Sequence, residues 1–167
     1  EEEGLTGFGR ELVEALQENE IFVDVAHVNT PGVLDVCAMT KAPLLCTHTG
    51  VKGAHDHARN ITDEEIDGIK ESNGVIGIMF ASTFLAGDTS STSSRILDHI
   101  EYVIDRAGVK HVGIGSDFDG WVPIPKDMRD VRDIALVHSG LRARGHSEED
   151  ISQIMGLNVF EVLSGQR

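Results

Sequence analysis

The chain has 167 residues, 40% of them hydrophobic, which is enough for one packed core. Its 28 acidic residues against 14 basic ones give a formal charge of −14. That charge argues against nucleic acid and anionic membrane surfaces as partners, and no apolar run approaches the roughly 20 residues that span a bilayer. Cys37 and Cys46 are too few for a disulfide framework, so both read as small buried apolar residues in a reducing compartment. With no signal peptide visible, a cytoplasmic location is expected.

In chain order, a helical pattern over 9–20 leads to the strand "IFVDVAH" (21–27). A helix over 30–42, with Pro31 in its first turn, leads to the strand "PLLCTH" (43–48). Thr62 and Glu65 form a capping box ahead of the next helix. The strand "VIGIMF" (75–80) is followed by a Ser/Thr-rich loop, a helix over 93–108 and the strand "KHVGIGSD" (110–117). The apolar stripe of the 93–108 helix (Ile96, Leu97, Ile100, Val103 and Ile104) reads as core packing. Two closing helices begin near Val131 and after Ser147, a good N-cap residue. Strict β-α alternation predicts an α/β fold with a parallel sheet in a single domain over 1–167. Such a chain is either a small open sheet or half of a barrel that takes about 250 residues when closed. The pattern itself does not choose.

In parallel α/β folds the chemistry gathers at the carboxyl ends of the strands. Here three of the strands end in His27, His48 and Asp117. The two histidines lie one βα unit apart, so adjacent strands about 4.8 Å apart bring both to one rim. Both rings can then reach one zinc at about 2.0–2.1 Å. Asp117 on the same rim suits a proton shuttle or further ligand in metal-assisted hydrolysis. Side-chain alternation places Asp24 on the opposite face, towards the helices. Gly113 and Gly115 leave space above the sheet beside Asp117. Arg59 can clamp a substrate carboxylate from the loop above the site. His55 and His57 lie in that loop as a weaker metal clip. "DFDG" (117–120) lacks the rest of a calcium loop, leaving Asp119 as a turn residue. Trp121 lines a pocket mouth or covers the core.

Four segments, "GLTGFGRELVEALQENEIFVDVAHV", "THTG", "DHARN" and "VGIGSDFDG", together resemble the carboxy-terminal half of the membrane (renal) dipeptidase family of zinc metallopeptidases. The resemblance implies strands five to eight of a TIM-like (βα)8 barrel and a two-zinc site that hydrolyses dipeptides with a metal-bound hydroxide. It implies His27 and His48 as ligands of one zinc, Arg59 as the partner of the substrate carboxylate, and Asp117 as the group that passes a proton to the leaving amine. The family's remaining ligands, a His-x-Asp pair and a bridging glutamate, would lie upstream of Glu1, so at most a partial zinc site is expected here. Ala58 replaces the proline usual in the Asp-His-Pro-Arg-Asn loop, and Glu161 stands where an arginine is common. No hydrophobic tail follows Arg167, so an unanchored form is expected. A dipeptide is the expected substrate, and a second copy or the amino-terminal half the expected partner. The rival readings are a non-catalytic half-barrel that pairs with another chain and a different metal-dependent amidohydrolase.

Overall fold

A computed structural model describes residues 3–166. Helix α1 (Gly7–Glu18) starts where the Thr6 hydroxyl accepts from the Gly9 amide at 3.1 Å, satisfying one of the otherwise unpaired first-turn donors. The strand expected at 21–27 shrinks to a single bridge between Asp24 and Leu45. The Val25 amide donates to Leu45 O and the Leu45 amide to Val23 O, after which a turn closes through Val28 N and Val25 O. Helix α2 (Thr30–Met39) carries Pro31 in its first turn, capped by the Asn29 side chain. Strand β1 (Leu45–Thr49) follows, then α3 (Asp63–Glu71), where Thr62 and Glu65 complete the expected capping box.

Strand β2 (Val75–Ile78) runs into a short helix, α4 (Ser82–Ala86), within the stretch expected to be loop. Helix α5 (Ser93–Ala107) precedes β3 (Val112–Ile114). A 3-10 turn over Val131–Ile134 opens α6 (Ala135–Ala143), and the Ser147 hydroxyl caps α7 (Glu148–Ser152). A widened turn at Gln153–Leu157 then leads to α8 (Asn158–Leu163).

The three strands pair in parallel in the order β1-β2-β3. One sheet face is buried under helices, with Cys46, Ile76 and Ile78 packed in one cluster with Ile66, Ile69, Ile96, Ile100 and Val103. At full burial each such aliphatic side chain contributes about 1.5–3 kcal/mol. The ion pairs of Arg106 with Asp63 and Asp67 join α5 to α3 at the surface of this layer. On the other face, α8 covers only the start of the sheet, where Val162 packs on Leu45 and Val75. Beyond it lies an apolar cleft of about 370 Å³ lined by Ile114, Val159 and Leu163 among others.

The ladder between β1 and β2 is irregular in one place. Cys46 pairs with Ile76 and Thr49 with Ile78, so Thr47 and His48 together face Gly77. This is a β-bulge, which re-aims side chains and commonly stands beside functional sites. It turns the Thr47 carbonyl over the sheet: a Cβ on Gly77 or on Gly115 would collide with that oxygen. A Cβ on Gly113 would come within 3.2 Å of Val159. The room expected above these glycines is therefore filled by backbone and by α8. Gly115→Ala should destabilise the chain by about 1–3 kcal/mol through overpacking. Urea denaturation checks this, and wild-type stability would mean that the bulge can shift at no cost.

Candidate metal centre

The bulge and the turn at 25–28 decide what the strand ends present. Leu44 and Cys46 are buried in the core, while the bulge swings His48 away from them onto the rim. The turn likewise separates the buried Val25 from the exposed His27. The two Nε2 atoms converge to 2.9 Å, with ring centroids 4.8 Å apart at 62°.

A carboxylate orients one of these rings. Asp24 accepts from the Ala26 amide at 3.1 Å, the Thr47 amide at 3.0 Å and the Thr47 hydroxyl at 2.7 Å. The Thr47 hydroxyl, having given its proton to Asp24, is an acceptor towards His48 Nδ1 at 2.9 Å. His48 Nδ1 therefore carries its proton and Nε2 is bare, the tautomer a metal ligand needs. Asp24 thus lies exposed on the same side as Thr47, not against the helices. The alternation that predicted otherwise holds only in a regular strand, and this segment leaves the ladder one residue later. Asp24 ties the backbone amides of Ala26 and Thr47 together.

Two converging imidazole nitrogens are a donor set that suits zinc. Two nitrogens at 2.0–2.1 Å on a tetrahedral ion lie about 3.3–3.4 Å apart, so a small opening of the 2.9 Å contact admits one. Burial lowers the His48 pKa, Asp117 raises it, and Arg59 and His27 lower it again, leaving it below the ordinary value. A neutral imidazole results, ready to bind a cation. Cys46 is packed in the core away from the rim, and burial first and Asp24 second push its thiol up to about 12. Cys37 is only half-buried, and burial pushes its thiol up to about 11. Among the described residues, no group of three or more His, Cys, Asp or Glu side chains converges as a metal site. The candidate centre in this chain is thus a histidine pair.

The strand expected over 110–117 is confined to Val112–Ile114 after a 3-10 turn at Val109–His111, so Asp117 lies three residues beyond the strand, in the left-handed region at φ 57°, and its charge reaches His48. Such backbone strain in a non-glycine residue concentrates at functional sites. Arg59 donates from Nη2 to the His48 carbonyl at 3.0 Å, and its amide donates to His57 Nδ1 at 3.1 Å. It borders a cleft of about 210 Å³ with Ala26, Lys52 and Glu65. The rings of His55 and His57 stack on one another at 6.4 Å, His57 lies on Phe84 at 4.7 Å, and neither joins the pair in a group of three or more possible ligands among the described residues. Asp119 is an exposed turn residue as expected. Trp121 is 100% exposed at φ 60°, so it covers no core. Thr47 escaped the sequence reading because its role exists only across two segments; a hydroxyl just before a strand-end histidine is the sole local signal.

A profile of the membrane dipeptidase family (peptidase family M19) matches residues 1–166. The chain belongs to the membrane dipeptidase family. It is 37% identical over 143 residues to dipeptidase ataJ of Aspergillus terreus and 32% identical over 161 residues to dipeptidase tcpJ of Claviceps purpurea. Those alignments cover 84% and 96% of this chain but only 35% and 38% of the two dipeptidases. A metallo peptidase from Rhodobacter sphaeroides, crystallised with a phosphinate mimic of the dipeptide L-Ala-D-Ala, superposes with a TM-score of 0.92 at 35% identity. That match takes in 98% of this chain and 47% of the other. The α/β fold and parallel sheet are thus shared with metallopeptidases of the membrane dipeptidase family, and the chain spans less than half the length of these relatives.

Proposed function

We propose that the chain is the carboxy-terminal half of a zinc dipeptidase barrel, strands five to eight of eight. The convergence of His27 and His48 at 2.9 Å, with His48 held in its ligating tautomer, carries this reading. Both histidines would hold the same zinc. A bound zinc supplies Lewis acidity at the substrate carbonyl and lowers the pKa of coordinated water. This chain's own residues bind and move protons around it. The Arg59 guanidinium has one N–H on the His48 carbonyl and is a fork suited to a dipeptide's terminal carboxylate. Asp117, at the strained end of its segment, carries a proton to the departing amine. Asp24 and Thr47 keep His48 in register throughout. The dipeptidase relatives and the dipeptide mimic on the Rhodobacter sphaeroides protein support a dipeptide as substrate.

The second reading, a half-barrel whose role is pairing, draws on the uncovered sheet face, whose cleft of about 370 Å³ is almost wholly apolar. It is compatible with the first: the amino-terminal half, or a second copy, would cover this face and bring the remaining ligands. Zinc titration against a chromophoric chelator tests the proposal. One weakly held zinc per chain is expected, lost in His27→Ala, with no dipeptide turnover by the isolated chain. No zinc binding, or binding indifferent to His27→Ala, overturns the metal reading. Dipeptide turnover by the pure chain overturns the need for the missing ligands.

A further inference from the structure

Beneath the rim, α5 presents a histidine that the proposed chemistry does not use. His99 is 0% exposed. The Val51 amide donates to its Nδ1 at 3.0 Å, and its Nε2 lies 3.2 Å from the Leu85 carbonyl of α4. A carbonyl can only accept, so Nε2 carries the proton; an amide N–H can only donate, so Nδ1 is bare. The two partners together select one neutral tautomer.

Val51 is the neck of the loop that bears Arg59. It bridges to Ile61, the Lys52 amide donates to Ile61 O at 2.9 Å, and the Ile61 amide donates to Gly50 O at 3.0 Å. Inside the neck, Asn60 Nδ2 donates to the carbonyls of His55 and Phe84, both at 2.8 Å. Arg95, one turn before His99, donates to the Ala54 and Leu85 carbonyls at 3.2 and 3.3 Å. The loop is thus tied to α4 and α5, and the fastening of its neck to α5 is the His99 ring.

We propose that His99 is a positioning residue: its neutral Nε2–H tautomer fixes the neck of the 51–61 loop and so holds Arg59 over the histidine pair. The functional meaning rests on reading Arg59 as the carboxylate clamp. Once protonated, the ring has N–H donors at both nitrogens, and Nδ1–H would meet the Val51 N–H donor to donor. Burial holds the His99 pKa down to about 4, the Leu85 carbonyl raises it, Arg95 and His55 lower it and Asp98 raises it. Those charged groups face it from α5 itself and from the loop; α4 (STFLA) and β2 (VIGI) contain no titratable side chain. Because the folded value lies below the ordinary 6.5, the unfolded chain takes the proton more readily. The stabilisation is complete above pH 6.5 and is lost as pH falls from there through about 4.

Amide exchange by NMR on the full chain, metal-free and zinc-loaded, tests this. His99→Leu should speed exchange at Val51 and Ile61 about tenfold, the effect of one lost buried hydrogen bond, and leave β2 and β3 amides unchanged. His99→Asn, whose side-chain oxygen can replace Nδ1 as acceptor, should restore most of the protection. Arg59-dependent acetate binding, taken as the difference from Arg59→Met, should fall about fivefold in His99→Leu and recover in His99→Asn, as one net hydrogen bond predicts. Zinc affinity should not move. Unchanged exchange at Val51 and Ile61, uniform acceleration across the sheet in both variants, or acetate loss not recovered by Asn overturns the proposal. If the wild type binds neither zinc nor acetate, the dipeptidase reading fails, while the exchange pattern still decides the role of His99.

Discussion

Asp24→Ala should weaken zinc binding by the chain about 10- to 100-fold, the range expected when the group orienting a histidine ligand is lost. Three donors meet on this carboxylate: the amides of Ala26 and Thr47 and the Thr47 hydroxyl. Without it the Thr47 hydroxyl is free to rotate and to donate to His48 Nδ1, which would shift the imidazole proton to Nε2 and block the ligand. Stability should fall by only about 1–2 kcal/mol, towards the lower end for charge-assisted hydrogen bonds, because water reaches the exposed site. Competition titration and thermal unfolding measure the two effects separately. An unaltered zinc affinity would mean that His48 is oriented by something other than the Asp24–Thr47 relay.

The second large effect is expected from Phe80→Ala, at about 3–5 kcal/mol of destabilisation. Phe80 is fully buried and meets the Phe118 ring edge-on at 5.4 Å, while its amide donates to Ser116 O at 3.1 Å. It therefore supports the core and, through Phe118, the segment on which Asp117 is strained. Chemical denaturation should give the loss of stability, and the Phe118 ring signals should broaden. A cost below about 1 kcal/mol, far under the usual range for Phe truncation, would mean that the site collapses around the cavity.

The residues that were legible beforehand are those whose signals are local. Pro31, the Thr62–Glu65 box and Ser147 each announce a helix start through their own chemistry, and each helix begins where they put it. The parallel sheet followed from alternation of apolar runs with helical ones. His27, His48, Arg59 and Asp117 could be singled out as strand-end and loop residues. That His27 and His48 share a rim was legible as well, and they meet at 2.9 Å; the side on which Asp24 lies was not, because facing depends on register. Neither the bulge at Thr47–His48 nor the turn after Val25 has a sequence signature, and each breaks the two-residue period on which the inference relied. Helix α4 was hidden for a different reason: it is one short turn in a Ser/Thr-rich stretch, with no side-chain cap. Thr47 and His99 act through partners that are distant in the chain, Asp24 for one and Val51 and Leu85 for the other.

The bulge in β1 also bears on how such a site can be acquired or lost. Cys46 and Thr49 are both buried, paired with Ile76 and Ile78, and the extra residue sits between them. A deletion of His48 alone would leave Cys46, Thr47 and Thr49 opposite Ile76, Gly77 and Ile78, a regular ladder with its core face intact. An inserted codon at that point does the reverse, placing an imidazole on the rim without asking any other strand to change phase. Fold and chemistry are therefore separable here by a single residue, and a lineage can keep the one while gaining or discarding the other.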